Sequence, residues 1–333
     1  MNLFFNEVTF EVKRPKIFIT RKCSEQQLQP LYEIADVDMW PEEEIPCPRE
    51  LLLEKAGDAD GLLTMLSDSI DQELLTTANK LKVVANLAVG FDNIDVQAAN
   101  ENGVVVCNTP DILTDTTADL TFGLILSTAR RLMEAANVVK NDQWKSWGPL
   151  LLAGHDVHHK TLGIVGMGNI GQAVAKRATG FEMNILYHNR SKNEEAEQRL
   201  GATYCTFYEL LEKSDFVVCL TPLTTETKEL FNKDAFNKMK KSAIFINVSR
   251  GAVVNEEDLY DALVSGEIAG AGLDVFLHEP IPSSHPLVSL QNVVALPHIG
   301  SASYETRYGM MNLCASNIAA VLNGKDPYTP VRL

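Results

Sequence analysis

Residues 160–180, KTLGIVGMGNIGQAVAKRATG, decide the fold of this chain. Residues 162–165 form a short apolar run with β-branched members, which predicts a strand, and residues 172–178 carry Ala and Val at helical spacing. The glycine pattern G-x-G-x-x-G lies between these two elements. A strand that ends at this pattern and opens a helix is typical of a dinucleotide-binding unit.

Each part of the glycine pattern has a physical role in such a unit. Gly166 permits the tight turn, Gly168 lets a pyrophosphate approach the backbone, and Gly171 lets the helix pack closely on the strand. Asn169 and Ile170 lie in the pattern that leads into the helix, and the free N–H groups and positive dipole end of the helix start favour phosphate. The alternative is a glycine turn that binds nothing, but the correct elements flank the pattern on both sides. We therefore predict dinucleotide binding here.

The size of the chain and the position of this pattern predict two domains. The chain has 333 residues, of which 45% are hydrophobic, and this exceeds what one core usually holds. The glycine pattern begins near the middle of the chain, so a second domain must be built from the residues that precede it.

Apolar strands alternate with helices in two series, which indicates parallel sheets covered on both faces. In the first series, strands are predicted at residues 16–20, 36–39, 59–66, 81–88 and 104–107, with helices from Ser24 and at residues 71–79. In the second, strands are predicted at residues 162–165, 184–188, 216–220, 243–248, 271–275 and 293–296. A long helix from Thr114 to beyond Met133 lies between the series, and a last helix at residues 304–322 is expected to return to the first domain.

Charge and hydropathy exclude several classes of partner. The formal net charge of −15 argues against nucleic acid and anionic membrane surfaces as partners. The apolar runs are too short to span a membrane. Residues 1–16 alternate charged and aromatic residues and lack the apolar core of a signal peptide, so we expect a cytoplasmic protein.

Neither the cysteines nor the histidines give a convincing metal site. The six cysteines are scattered without a C-x-x-C pair, which predicts buried thiols in a reducing compartment. His155, His158 and His159 lie close together with Asp156, but no matching pair of ligands follows at metal-binding spacing. We therefore expect no metal.

Three polar residues follow predicted strands of the second series, where ligands of doubly wound sheets bind. Arg250 carries a guanidinium fork that suits a carboxylate and can polarise a ketone. His298 can donate a proton near neutral pH, and Glu279 can fix its tautomer and favour its charged form. Taken singly, each residue also has an ordinary structural role, and spacing alone does not decide between the two interpretations.

At these residues the sequence resembles the D-isomer-specific 2-hydroxyacid dehydrogenases, particularly the glyoxylate/hydroxypyruvate reductases and their 2-ketogluconate reductase relatives. The resemblance covers essentially the whole chain. Its motifs are AVGFDNID at residues 88–95, TAD at 117–119, the glycine pattern, NVSRG at 247–251, GLDVF at 272–276, EP at 279–280 and PHIGS at 297–301. One departure is Ala88, where glycine is commoner in the family.

The resemblance implies a fold of class α/β with two doubly wound parallel-sheet domains, in which a Rossmann cofactor domain is inserted into a flavodoxin-like substrate domain. The implied substrate domain comprises residues 1–112 and 300–333, and the implied cofactor domain comprises residues 113–299. The resemblance also implies a homodimer, with Trp144 or Trp147 as a candidate to reach the partner's site.

The resemblance implies a catalytic triad of Arg250, Glu279 and His298. Substrate binding is implied for Val89, Gly90, Arg250, His298 and Ser301. The cofactor-binding residues predicted from the glycine pattern, the strand ends and the resemblance together are Thr117, Gly166, Gly168, Asn169, Ile170, Gly171, Asn189, Arg190, Ser191, Lys192, Thr221, Pro222, Val248, Ser249, Arg250, Asp274, His298 and Gly300. Asp274 is the implied contact of the nicotinamide carboxamide.

Other activities share parts of this pattern. A phosphoglycerate dehydrogenase would have the same triad and fold. In the formate dehydrogenases of this superfamily a glutamine precedes the proline, so Glu279 argues against that activity. A corepressor-like module would use the dinucleotide as a conformational ligand. The expected substrate is a small 2-keto acid, but the sequence does not separate glyoxylate, hydroxypyruvate and 2-ketogluconate.

The residues after the second strand of the cofactor domain predict the choice of cofactor. An NAD-specific site carries an acid there, which binds the ribose hydroxyls and repels a 2′-phosphate. This chain instead reads HNRSK at residues 188–192, so Arg190 and Lys192 supply cations, and Asn189 and Ser191 supply neutral donors. We therefore predict NADPH as the preferred cofactor and NADH as the weaker one. In the alternative interpretation, Arg190 stacks on the adenine or faces solvent.

Overall fold

The computed structural model describes residues 14–332 and divides the chain into two compact units. Unit 1 comprises Met1–Ile112 and Tyr304–Leu333, and unit 2 comprises Leu113–Ser303. The prediction for the N-terminus falls mainly on residues 1–13, which lie outside the described residues. Residues 300–303 belong to unit 2, whereas the sequence placed the boundary at residue 300. The N–H of Gly300 donates to the buried carboxylate of Asp274 at 2.8 Å, which ties this segment to unit 2.

Unit 1 contains a parallel five-stranded sheet with the strand order β2-β1-β3-β4-β5. Its strands are β1 (Lys16–Ile19), β2 (Asp36–Met39), β3 (Gly61–Thr64), β4 (Val83–Asn86) and β5 (Val105–Cys107). Its helices are α1 (Gln29–Ile34), α2 (Arg49–Ala56), α3 (Gln72–Thr77), α4 (Val96–Glu101) and the last helix of the chain, α13 (Tyr304–Leu322). Strands β3 and β4 are buried along their whole length, as a sheet covered on both faces requires. This strand order is that of flavodoxin-like sheets.

The chain that follows α13 covers the β5 edge of this sheet. Pro330 forms an antiparallel bridge with Cys107, and the N–H of Val331 donates to the carbonyl of Val106 at 2.8 Å. An unpaired strand edge exposes backbone donors and acceptors, and this pairing satisfies some of them. It also brings residues 328–331 to the carboxyl end of β5.

Unit 2 contains a parallel seven-stranded sheet with the order β12-β11-β10-β9-β6-β7-β8. Its strands are β6 (Thr161–Val165), β7 (Asn184–His188), β8 (Thr203–Tyr204), β9 (Phe216–Cys219), β10 (Ile244–Asn247), β11 (Gly270–Leu273) and β12 (Val293–Ala295). Its helices are α5 (Thr114–Ala129), α6 (Leu132–Lys140), α7 (Asn169–Thr179), α8 (Glu194–Leu200), α9 (Phe207–Lys213), α10 (Lys233–Lys238), α11 (Glu256–Ser265) and α12 (Pro286–Ser289). Counted from β6, the first six strands have the Rossmann order 3-2-1-4-5-6, and β12 extends the sheet.

Both faces of this sheet are buried, which explains its nearly continuous apolar strands. Along β9, Phe216 and Val218 belong to a core shared with α5 and α7, and Val217 and Cys219 belong to a second core on the opposite face. This alternation follows from the two-residue period of a strand. The predicted α/β class with two parallel sheets is confirmed.

Two predicted helices differ from the structure. The helix predicted from Ser24 begins at Gln29, because residues 25–28 form turns and Pro30 fits the first helical turn, where a missing N–H does no harm. The long helix predicted from Thr114 is two helices, α5 and α6, because Arg131 adopts a left-handed conformation with φ 53°. The sequence did not indicate α2, α4, α12 or the short strand β8.

None of the described helices is both long and apolar enough to cross a membrane. All six cysteines have free thiols, and Cys205 is the one that is only partly buried. Burial raises the pKa of Cys23 and of Cys47 to about 11, so both stay protonated at neutral pH. Within residues 14–332, no three His, Cys, Asp or Glu side chains meet closely enough to hold a metal ion.

Candidate active site

The glycine loop of unit 2 has the geometry of a phosphate cradle. Gly166 adopts φ 106°, and a Cβ there would lie 2.7 Å from the backbone carbon of Leu220. A Cβ on Gly171 would lie 2.3 Å from the carbonyl oxygen of Gly166, so only glycine permits this close approach. A Cβ on Gly168, in contrast, would meet nothing within 4 Å. Two glycines therefore shape the turn, and the third leaves open space beside it.

The first turn of α7 is available to an anion. Gly168 is the N-cap of this helix, and no side chain caps the turn. Uncapped N–H groups at a helix start favour a phosphate. The other end of α7 is held by Arg177, whose Nε donates to Asp119 at 2.6 Å and whose guanidinium also pairs with Asp115 of α5. Asp119 of the TAD motif therefore ties α7 to α5.

Two asparagines clamp the backbone of Met167 inside the glycine loop. Oδ1 of Asn189 accepts from the Met167 N–H at 2.7 Å, and Nδ2 of Asn193 donates to the Met167 carbonyl at 3.2 Å. Asn193 also caps α8, and its own N–H donates to the hydroxyl of Tyr187 at 2.7 Å. The sequence did not indicate Asn193, although an asparagine directly before two glutamates is a typical N-cap. The segment after β7 and the glycine loop are thus one hydrogen-bonded unit.

The remaining predicted residues of this segment lie at the surface. Arg190, Ser191 and Lys192 are exposed, and Nζ of Lys192 lies 5.7 Å from the centre of the Tyr204 ring, a cation–π distance. The pKa of Glu226 is lowered, first by a hydrogen bond from the Thr224 hydroxyl and, more weakly, by the Arg190 charge. One carboxylate therefore interacts electrostatically with Arg190.

The predicted residues after β9 and β10 meet around a buried thiol. Sγ of Cys219 lies 3.6 Å from the hydroxyl of Thr221 and 3.3 Å from that of Ser249, which donates to Asn247 at 3.0 Å. Pro222 is exposed and Val248 is buried, with 9% of its surface exposed.

Asp274 lies just after β11 and is buried. Its two carboxylate oxygens accept from the N–H groups of Ile299 and Gly300, each at 2.8 Å, and its carbonyl accepts from the N–H of His298 at 2.9 Å. Burial raises the pKa of Asp274, although these N–H groups and the His298 charge oppose the rise. Thr117 of α5 also lies near Gly300, 3.4 Å from the position of a Cβ there, and Ser301 follows in the same turn. Asp274 therefore holds the turn that presents His298.

The three predicted catalytic residues come together in unit 2. Nδ1 of His298 lies 2.7 Å from Oε2 of Glu279, and the other carboxylate oxygen accepts from the N–H of Phe276 at 2.9 Å. Arg250 follows β10, and a guanidinium nitrogen donates to the Ser249 carbonyl at 2.9 Å. The segments of Arg250 and Glu279 touch at Gly251, where a Cβ would lie 1.8 Å from the backbone carbon of Phe276.

The electrostatics of this group favour a charged carboxylate beside the imidazole. Burial raises the pKa of Glu279, but the hydrogen bond and charge of His298, the Phe276 N–H and the Arg250 charge outweigh burial, so the pKa is lowered overall. Because Nδ1 of His298 faces Glu279, Nε2 is the nitrogen left for a substrate. The backbone of His298 is also left-handed, with φ 54°, a conformation that residues other than glycine rarely adopt.

The predicted substrate residues Val89 and Gly90 lie in unit 1, in the loop after β4. The carbonyl of Val89 accepts from Nδ2 of Asn108 at 2.8 Å, and the carbonyl of Gly90 accepts from Nδ2 of Asn86 at 3.0 Å. Ala88 is not among the described residues with positive φ, so alanine fits at this position.

Comparisons with known proteins identify the family of this chain. The family model described as D-isomer specific 2-hydroxyacid dehydrogenase, NAD binding domain, matches residues 122–300. The glyoxylate reductase of Thermococcus kodakarensis is 51% identical over 96% of both chains. A crystal structure of a protein from Thermus thermophilus has a TM-score of 0.90 and 42% identity, over 95% of this chain and all of that one.

One further solved structure contains ligands. It is the NADPH-dependent glyoxylate/hydroxypyruvate reductase of Sinorhizobium meliloti in complex with NADP and malonate, with a TM-score of 0.86 and 34% identity over 96% of this chain and 97% of that one. The chain described here belongs to the D-isomer-specific 2-hydroxyacid dehydrogenase family. It is an NAD(P)-dependent oxidoreductase.

Proposed function

We propose that this enzyme reduces small 2-keto acids to D-2-hydroxy acids, with glyoxylate and hydroxypyruvate as substrates and 2-ketogluconate as a further candidate. The observation that carries the proposal is the contact of 2.7 Å between His298 and Glu279, whose carboxylate also interacts with the Arg250 charge. The names of the relatives from Thermococcus kodakarensis and Sinorhizobium meliloti support the same substrate class.

Each residue of the triad has one task in this proposal. Arg250 binds the substrate carboxylate and polarises its ketone with the guanidinium fork. His298 donates the proton on Nε2 to the ketone oxygen as that oxygen becomes a hydroxyl, and is left as a neutral imidazole. Glu279 holds Nδ1 and stabilises the charged imidazole before the transfer. In unit 1, the loop with Val89 and Gly90 binds the carboxylate through backbone N–H groups.

The glycine loop fits a dinucleotide, because Gly168 leaves space and the first turn of α7 is uncapped. When bound, the nicotinamide cofactor supplies the hydride that reduces the ketone carbon. The proposed cofactor-binding set is the predicted one, extended by Asn193. The segment at residues 188–192 contains two cations and no acid, which supports a preference for NADPH over NADH.

We further propose a homodimer formed through unit 2. Helix α6 buries none of its residues, and both this helix and the stretch that follows it expose large apolar side chains. The exposed fraction is 59% for Val139, 80% for Trp147 and 82% for Leu150. Adjacent exposed apolar side chains of this size are typical of a protein interface. A particle of 36.7 kDa in light scattering at micromolar concentration would contradict the dimer.

The cellular compartment and the tasks of the two units complete the proposal. The free, mostly buried thiols suit a reducing compartment, and we propose the cytoplasm. Unit 1 would serve as the substrate domain and unit 2 as the cofactor domain.

A substrate panel tests the proposal directly. We expect NADPH oxidation with glyoxylate and hydroxypyruvate, and a lower kcat/KM for oxidation of 3-phosphoglycerate. His298→Asn should lower kcat by about 10²–10⁴-fold, the usual loss of acid–base catalysis, while the Kd for NADPH stays nearly unchanged. Near-normal turnover of this variant would contradict the role of His298 as proton donor. If the unmodified enzyme reduced no 2-keto acid, the proposed function would be rejected.

A further inference from the structure

Three successive carbonyl groups of the loop after β4 are held by donors of unit 1. The carbonyl of Ala88 accepts from the N–H of Thr109 at 2.8 Å, in addition to the bonds of Val89 with Asn108 and of Gly90 with Asn86. Asn86 and Thr109 are completely buried, with exposed fractions of 0%. Asn108 is partly buried. The three carbonyls are therefore turned toward donors of their own unit.

Fixing the carbonyls also fixes the N–H groups of the loop. In a trans peptide, the C=O of one residue and the N–H of the next point in opposite directions. The N–H groups of Val89, Gly90 and Phe91 are thus turned away from the buried donors, and no group within residues 14–332 accepts a hydrogen bond from them. Successive free N–H groups form an anion-binding concavity. The loop is arranged to bind a carboxylate.

Asn108, which holds Val89, is itself held by the segment that follows α13. Its N–H donates to the carbonyl of Thr329 at 3.3 Å, and its carbonyl accepts from the Thr329 hydroxyl at 2.7 Å. The same hydroxyl accepts from Nδ2 of Asn317 at 2.8 Å. Oδ1 of Asn317 accepts from the N–H groups of Tyr328 and Thr329, at 2.8 and 3.1 Å. Asn317 lies on α13 and is completely buried, with an exposed fraction of 0%.

We infer that Asn108 and Thr329 are positioning residues for the substrate carboxylate. A relay of hydrogen bonds runs from Asn317 on α13 through Thr329 and Asn108 to the carbonyl of Val89, and it holds the N–H of Gly90 toward the carboxylate. The inference rests on the proposed reduction of 2-keto acids. It assigns to the residues that follow α13 a task in substrate binding, in addition to covering the edge of β5.

Thr329→Val tests the relay, because valine has nearly the same shape and lacks the hydroxyl. We expect the KM for glyoxylate and the inhibition constant of oxalate to rise by about 3- to 10-fold, the effect of one or two lost hydrogen bonds. The kcat should stay within about 2-fold, because the carboxylate contact is the same before and during reduction. The Kd for NADPH should not change, because the glycine loop lies in unit 2.

Two further variants separate positioning from stability. Thr329→Ser keeps the hydroxyl and should restore the KM. Thr77→Val is the matched control, because its hydroxyl bonds only within α3, to the carbonyls of Glu73 and Leu74. An unchanged KM in Thr329→Val, a defect of equal size in Thr329→Ser, or an equal rise in Thr77→Val would each overturn the relay. If the unmodified enzyme reduced no 2-keto acid, the proposed function would fail and the relay with it.

Discussion

The loops that follow β6 and β4 are both proposed to bind an anion through backbone N–H groups, but these groups are oriented in two different ways. Each lies at the carboxyl end of a central parallel strand, and each is held by asparagine amides: Asn189 and Asn193 in unit 2, Asn86 and Asn108 in unit 1. The loop after β6 opens directly into α7, whose dipole adds to the attraction for phosphate. No helix begins directly after the loop at residues 88–91. Where no helix follows, side-chain amides must orient the N–H groups alone.

The largest expected effect comes from the turn of the glycine loop. Gly166→Ala combines φ 106° with a contact of 2.7 Å to Leu220, so we expect the free energy of unfolding to fall by about 3 kcal/mol or more. Gly168→Ala is the control: its Cβ meets nothing within 4 Å, so stability should change by less than about 1 kcal/mol while dinucleotide affinity falls. Urea unfolding and dinucleotide titration measure both, and equal stabilities of the two variants would contradict this assignment.

The clamp on Met167 gives the next largest effect. Asn193→Ala removes the bond to the Met167 carbonyl, so the Kd should rise by about 10-fold for NADPH and NADH alike, with an unchanged KM for the keto acid. Asn232→Ala is the matched control, because it also loses an N-cap, that of α10, at a distance from the loop in sequence. Together with Thr329→Val, this pair shows whether the two loops are positioned independently. A raised keto-acid KM in Asn193→Ala would mean that they are not.

A smaller effect concerns the choice between the two cofactors. Arg190→Ala should raise the KM for NADPH by about 5-fold and leave that for NADH within about 2-fold, because only NADPH carries a 2′-phosphate. Added salt should weaken NADPH selectively in the unmodified enzyme. Glu226→Gln should act in the opposite direction, because it removes the carboxylate near Arg190. Lys238→Ala removes an exposed cation of α10 that pairs with Glu212, and the same loss of NADPH preference in that variant would make the effect non-specific.

The smallest effect is a pH dependence of stability. Because the pKa of Glu279 is lowered in the folded protein, its charged form stabilises the fold above the ordinary carboxyl pKa of about 4.3, and this contribution is lost as the pH falls through the lowered value. The stability difference between the unmodified enzyme and Glu279→Gln should therefore shrink as the pH falls below about 5. Unfolding curves at several pH values measure it, and a constant difference would rule out the lowered pKa.

The parts of the site that depend on neighbours in sequence could be predicted. The glycine loop is a local pattern, and its strand and helix are found where the periodicity of residues 160–180 predicts them. Arg250, Glu279 and His298 each directly follow or lie near the end of a predicted strand, so the rule for doubly wound sheets points to them.

The parts that depend on distant partners could not be predicted. Asn108 and Thr329 lie 221 positions apart, and no periodicity relates an amide to a hydroxyl over that distance. The helix break at Arg131 and the left-handed backbone of His298 both occur at residues other than glycine. The residue types at these positions therefore do not predict a left-handed conformation. Hydrogen bonds between residues far apart in sequence are therefore the main addition of the structure to the site.

The contact at Gly251 has an evolutionary consequence. Because a Cβ at this position would lie 1.8 Å from Phe276, residue 251 cannot change unless the backbone that leads to Glu279 moves as well. A lineage that replaces Gly251 should therefore also carry compensating changes at residues 276–279, and the two segments should covary across relatives. Changes in the segments that carry Arg250 and Glu279 would therefore be selected together.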